Sequence, residues 1–309
     1  MLNILNEKIQ LFLNDPIASK YIEDFDKIKE KCYELLNEED ILLDDYKWSR
    51  KMDLNESTKI IYDFLLTIDK ELAERYINII SVVDENNEPL FIVKDKNYSK
   101  YPFNGVLKNG KINFYYEGNI NDLFTIVHEI AHVFNLCIIV DEEDVKKCTL
   151  PREEYTEGAS IILENLLGEY LVNNNIITEN DFKLRKTFRL ENEKTCAMSL
   201  IIQIELINKF LSNNNINQND IDELFMKLYK DNLFRNATQI YGYGFNDIIS
   251  SIVYGIGLKV ETDLKYVNGH LISKKVLSSN NSIKEYIDLN NIISNPNCTY
   301  DEISKIFKV

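Results

Sequence analysis

The stretch NDLFTIVHEIAHVFN, Asn121 to Asn135, decides how the rest of the chain is read. It is an apolar run suited to a buried helix, yet it holds two of the chain's three histidines and a glutamate within five residues. On a helix, residues four apart share a face, so His128 and His132 aim two imidazoles at one point. That is the geometry of a chelating pair for a transition metal, and imidazole suits zinc. Glu129 follows about 100° round the helix. There it can meet a water at the metal without taking a ligand position, accept its proton and later return it. H-E-x-x-H on a helix is the zinc-peptidase signature with this division of labour.

A catalytic zinc needs a third protein ligand and an open position. His270, in KYVNGHLIS, lies far along the chain and is the weaker candidate. The segment PREEYTEGASIILENLLGEYL offers Glu153, Glu154, Glu157 and Glu164 on the next helix. Glu157 precedes Gly158, Ala159 and Ser160, small residues that let a neighbouring helix approach, so it is the favoured ligand. Glu164 is expected to contact a histidine or its helix. Glu153 and Glu154 are expected on a solvated face.

Around this centre the chain reads as mainly helical. Residues 3 to about 47 suggest two or three short helices broken near Pro16 and Asn37. Residues 55–83 suggest one amphipathic helix, with Asn55 or Ser57 as cap and Ile60, Phe64, Leu65, Ile68, Leu72, Tyr76 and Ile80 along it. PLFIVKD and KINFYYEG read as short strands. Helices then follow from Asn119 to about Val140, from Pro151 to about Val172, from about Lys186 to Leu211, over Ile221–Tyr229 and over Asn246–Val260. Two short ones are expected in the tail, in SSNNSIKEYIDL and TYDEISKIF. Residues 1–45 are expected as N-terminal helices packed on the core, and 46–309 as one continuous catalytic domain.

Composition narrows the partners. The 309 residues are 45% hydrophobic, with ten glycines and five prolines, which favours long helices over a turn-rich sheet protein. A formal net charge of −15 repels nucleic acid and anionic membranes and leaves neutral or basic partners. The five cysteines, Cys32, Cys137, Cys148, Cys196 and Cys298, are scattered without CxxC spacing, which excludes a disulfide framework or a cysteine zinc site. Glu7 and Lys8 interrupt the N-terminal apolar stretch, and no run approaches the ~18 to 20 apolar residues of a membrane span. The expectation is a cytoplasmic protein.

INFYYEGNINDLFTIVHEIAHVFN (112–135), followed by EGASIILENLLGEYL (157–171), resembles the thimet oligopeptidase/oligoendopeptidase F family of zinc metallopeptidases. Members have a strand, an Asn- or Thr-capped D-x-F-T-x-x-H-E-x-x-H helix and a later E-x-x-S-x-x-x-E helix. The resemblance extends weakly from about Tyr46 to the C-terminus, and its specific part is roughly Lys111 to Leu171. It implies a zincin-like, oligoendopeptidase-type fold, mainly α with a small β-sheet beside the active-site helix. It implies one zinc on His128, His132 and Glu157, with Glu129 as general base.

There are departures. Ala131 stands where members usually have glycine, and Asn135 where they have a further histidine. NATQIYGYGFNDII resembles the family's tyrosine segment, with Tyr241 and Tyr243 in place, but has no histidine. The chain is about half the family's usual length.

Tyr241 or Tyr243 is expected to donate to the oxyanion of a tetrahedral intermediate. The strand near 112–117 is expected at a sheet edge, pairing with an extended short peptide substrate. The function implied is a zinc metalloendopeptidase or oligopeptidase cleaving short unfolded peptides. The alternatives are a peptide-binding module of the same fold that does not cleave, or a peptidase dedicated to trimming one leader or propeptide. No motif for gripping a substrate terminus is present, which argues against an exopeptidase.

Overall fold

The computed structural model describes residues 1–16, 21–41, 43, 46–81, 83, 87, 89, 91–95, 104–106, 111–135, 153–231, 235, 244–255 and 257–293. In chain order the elements are α1 (Leu2–Leu13), α2 (Phe25–Leu36), α3 (Leu54–Ile68), α4 (Lys70–Ser81), β1 (Phe91–Asp95), β2 (Gly105–Val106) and β3 (Ile112–Tyr116). Then come α5 (Asn121–Asn135), α6 (Glu153–Asn173), α7 (Glu179–Asn213), α8 (Gln218–Lys230), α9 (Phe245–Tyr254), α10 (Val260–Leu277) and α11 (Ser282–Ile293). The protein is thus mainly helical with one small sheet. It divides into two compact units, Met1–Asp40 with Phe188–His270, and Ile41–Thr187 with Leu271–Val309.

The second unit carries the sheet and the HEIAH helix. The single helix expected over 55–83 is two. Asp69 adopts an extended backbone (φ −161°, ψ 135°) and ends α3. Its carboxylate then accepts the backbone N–H groups of Glu71 (2.7 Å) and Leu72 (3.2 Å), capping α4. The cap of α3 is Asp53, which accepts from Asn55 N and Glu56 N, rather than Asn55 or Ser57. Ile61, Phe64 and Leu65 of α3 and Leu72, Ala73 and Tyr76 of α4 face the same apolar core.

The strand order is β1-β3-β2. β3 pairs with β1 in parallel along its whole length and with β2 in antiparallel fashion at Ile112 and Asn113. The strand at 112–116 is therefore the middle one, and the expectation of an edge strand there is corrected. Every residue from Ile112 to Tyr115 is buried, as in a strand covered on both faces. The turn from β3 into α5 is tightly held. Gly118 has φ +78°, a left-handed conformation natural to glycine. The buried Asp122 carboxylate accepts the N–H groups of Glu117 (3.1 Å), Gly118 (2.7 Å) and Asn119 (3.0 Å). Burial pushes the Asp122 pKa up against the opposing pull of those three bonds.

α5 packs along α6 through Val127, Ile130, Ala131 and Phe134 on one side and Ala159, Ile162 and Leu163 on the other. α7 begins at Glu179, a full turn and more before the expected start near Lys186. Thr178 and Asp181 cap it reciprocally: Thr178 Oγ1 accepts Asp181 N (3.1 Å) and Asp181 Oδ2 accepts Thr178 N (2.9 Å). The first turns of α7 close on α6 because Gly168 has no side chain. A Cβ there would lie 2.1 Å from the Phe182 ring, which stacks on Phe124.

The first unit contains α1, α2, α7 from Phe188, α8, α9 and α10 to His270. α10 has no counterpart in the sequence expectation, which carried the α9 helix to Val260, whereas α9 stops at Tyr254. His270 lies between two carboxylates: Nδ1 is 2.6 Å from Glu193 Oε2 and Nε2 is 3.0 Å from Glu38 Oε1. Burial depresses its pKa, but the two carboxylates outweigh burial and raise it to about 9. Cys32 and Cys196 are not joined in a disulfide.

The expectation that no stretch approaches a membrane span is corrected in α7. It contains 18 residues of mean hydropathy 1.2, long and apolar enough by composition to cross a membrane. Of that stretch 61% is buried inside the protein, as in a core helix.

Candidate metal centre

The centre is built from α5, α6 and the start of α7, all in the second unit. The i,i+4 spacing on α5 brings the His128 and His132 rings within 4.7 Å at 90°, with their Nε2 atoms 3.1 Å apart. From α6, Glu157 reaches both, with Oε2 3.3 Å from His128 Nε2 and Oε1 3.6 Å from His132 Nε2. Glu157 is 1% exposed. Gly158 and the buried Ala159 and Ser160 beside it let α6 come close to α5 at this level.

These separations can be tested against a metal. Zinc bonds of ~2.0–2.2 Å arranged tetrahedrally place ligand atoms about 3.3–3.6 Å apart. The two Nε2 atoms lie 3.1 Å apart and Glu157 presents a different oxygen to each, at 3.3 and 3.6 Å, separations close to those a transition metal needs. Among the described residues, His128, His132 and Glu157 are the group whose donor atoms converge within 4.8 Å and could hold a metal ion.

The other nitrogens of the two rings are engaged. His128 Nδ1 lies 2.6 Å from Glu164 Oε1, a contact between buried groups that orients the ring with Nε2 towards Glu157. His132 Nδ1 lies 3.3 Å from Ser160 Oγ, which also reaches Thr156 O at 3.3 Å. The second oxygen of Glu164 accepts Arg185 Nε at 2.7 Å and pairs with Nη2 at 2.6 Å.

The structure thus brings together His128, His132 and Glu157, with Glu164 behind His128 as expected. Glu129 follows His128 on α5 and is buried. Glu153 and Glu154 start α6, but their side chains, like that of Asn135, lie outside the described residues, as do Tyr241 and Tyr243. His270 does not join the group; it is held in the first unit by Glu193 and Glu38. Sequence reasoning missed Arg185 and the role of Ser160. Arg185 sits in DFKLRKTFR among Lys183, Lys186 and Arg189, where nothing in the pattern singles it out.

Comparison of the chain with protein-family models, with characterised proteins and with solved structures finds no match.

Proposed function

We propose that the chain is a zinc metallopeptidase of oligopeptidase type, with a zincin-like catalytic unit, hydrolysing short extended peptides. The observation that carries this reading is the convergence of His128, His132 and Glu157 next to Glu129, with His128 oriented from behind by Glu164. Two imidazoles and one carboxylate are the donor set of a catalytic site with an open position, not of a closed structural one. When bound, zinc supplies Lewis acidity that polarises a carbonyl oxygen and acidifies water. Glu129 takes the proton of the attacking water and hands it to the leaving amine. Glu164 keeps the His128 ring oriented throughout. An extended peptide pairing with the sheet ahead of α5 suits the β1-β3-β2 order, in which β1 and β2 are the outer strands among the described residues. The net charge of −15 favours neutral or basic peptides.

A second reading, a peptide-binding module that holds metal without cleaving, is favoured by the absence of histidine from residues 236–249. One experiment separates the two. Zinc content and cleavage of a quenched internal peptide library are measured for the parent and for Glu129→Gln. The peptidase reading expects about one zinc in both proteins and a fall in cleavage of at least ~10²-fold in the variant. Zinc on the parent with no cleavage across the library supports the binding module, and equal cleavage by both proteins removes Glu129 as the base.

A further inference from the structure

Glu164 is a buried carboxylate with different work at each oxygen. Oε1 faces His128 Nδ1 at 2.6 Å, and Oε2 receives Arg185 through Nε at 2.7 Å and Nη2 at 2.6 Å. The third nitrogen of the guanidinium, Nη1, donates to Asn121 Oδ1 at 3.0 Å, and its carbon lies 5.7 Å from the centroid of Phe124. Arg185 is thus tied to α5 at Asn121 and Phe124 and to α6 at Glu164. Its approach depends on local packing. Glu164 and Gly168 are one turn apart on α6, Phe182 and Arg185 one turn apart on α7, and the missing side chain of Gly168 admits Phe182.

A guanidinium is a rigid planar fork, and two of its nitrogens on one carboxylate oxygen hold that oxygen in place. With Oε2 held, Glu164 cannot swing away from Nδ1, and His128 cannot turn its Nε2 away from Glu157. We infer that Arg185 is a positioning residue for the metal centre, acting through Glu164 to set the ring orientation of His128. The inference rests on the metal-binding part of the proposed function, and no reaction step is assigned to Arg185.

The test measures zinc dissociation constants by competition with a chelating dye. It compares the full-length parent, Arg185→Met, Arg185→Lys, Glu164→Gln and the Arg185→Met/Glu164→Gln double variant, with thermal melting of the metal-free proteins alongside. Arg185→Met is expected to weaken zinc roughly 10- to 100-fold, the range for residues that orient a metal-bound histidine. The double variant is expected to bind no more weakly than Glu164→Gln alone, because Arg185 acts through that side chain. Arg185→Lys is expected to recover part of the loss, since an ammonium still pairs with Oε2 but loses the fork. Where Arg185→Met does not fold, Arg185→Lys decides. A purely structural arginine would lower the metal-free melting temperature and leave the zinc constant alone. Zinc on the parent with an unchanged constant in Arg185→Met or Arg185→Lys, or losses that add in the double variant, overturns the inference and spares the metal reading. No zinc on the parent overturns both.

Discussion

Two histidines in this protein each face a carboxylate on both ring nitrogens, and they differ in what else shares the Nε2 carboxylate. His128 has a carboxylate on Nδ1 and turns Nε2 towards His132 and Glu157. His270 has a carboxylate on each nitrogen, Glu193 on Nδ1 and Glu38 on Nε2. Glu193 and Glu38 stabilise the His270 ring as the cation, which donates from both nitrogens and has no lone pair to offer a metal. At His128 the carboxylate facing Nε2, Glu157, is shared with His132 Nε2, so two imidazoles and one carboxylate converge on one place. A buried His-carboxylate contact therefore does not define a metal site. A second imidazole sharing the same carboxylate does.

The largest test of that difference is metal content. His128→Ala removes a ligand from a three-residue set and is expected to take zinc from about one per chain to near none. His270→Ala is expected to leave it unchanged. Equal zinc loss in both variants would break the comparison. Stability follows the same division by linkage. Zinc at ~1,000 times its dissociation constant is expected to stabilise the parent by about 4 kcal/mol, and His128→Ala not at all. Differential scanning calorimetry with and without added zinc reads this directly.

The second test uses pH and concerns His270. Its folded pKa is raised to about 9, above the ordinary 6.5 of histidine, by Glu193 and Glu38 working against burial. Arg189 stands 3.9 Å from the other Glu193 oxygen. Because the folded pKa is the higher one, the clamp's contribution is fully present below about pH 6.5. It is lost as pH rises through about 9. The expected loss over that window is roughly 3 kcal/mol, at ~1.4 kcal/mol per pH unit. Chemical denaturation of metal-free protein at pH 6 and pH 9.5 measures it. His270→Gln should flatten the difference. A parent whose stability rises over the same window would mean that the imidazole is neutral in the fold.

How much of this was legible in the sequence depended on how local each feature is. His128 and His132 were legible because four-residue spacing on a helix is a local fact. Glu157 was legible because Gly158, Ala159 and Ser160 mark where a second helix can come close. The break at Asp69 was not, since the apolar period runs through it and only the aspartate's bonds to Glu71 and Leu72 favour two helices over one. The middle position of β3 was not, because strand order is set by pairing with Phe91–Asp95 and Gly105–Val106 rather than by the strand's own residues. α10 was missed because VETDLKYVNGHLISKKVL has a glycine and polar residues spread around it. Arg185 was invisible for a related reason: it is half-buried like Lys186 and Arg189, and the basic residues of one segment look alike until a partner from another helix is known.

The smallest effect is expected within the metal centre, at the other histidine. His132 Nδ1 has a neutral hydroxyl, Ser160 Oγ, at 3.3 Å, where His128 Nδ1 has a carboxylate at 2.6 Å. A neutral bond contributes about 1 kcal/mol and a charge-assisted one roughly twice that. Ser160→Ala should therefore weaken zinc only about fivefold, less than Glu164→Gln. The substitution also has a sign that separates metal from fold. Ser160 is buried in the middle of α6, and its hydroxyl bonds back to Thr156 O, a habit that slightly opposes helix formation. Alanine is the better helix former by about half a kcal/mol, so the metal-free protein should melt no lower than the parent while the zinc constant worsens. Chelator competition and melting on the same preparation check both halves. If Ser160→Ala costs as much zinc affinity as Glu164→Gln, the two imidazoles are held with equal strength, and the charge on Glu164 is not what distinguishes His128.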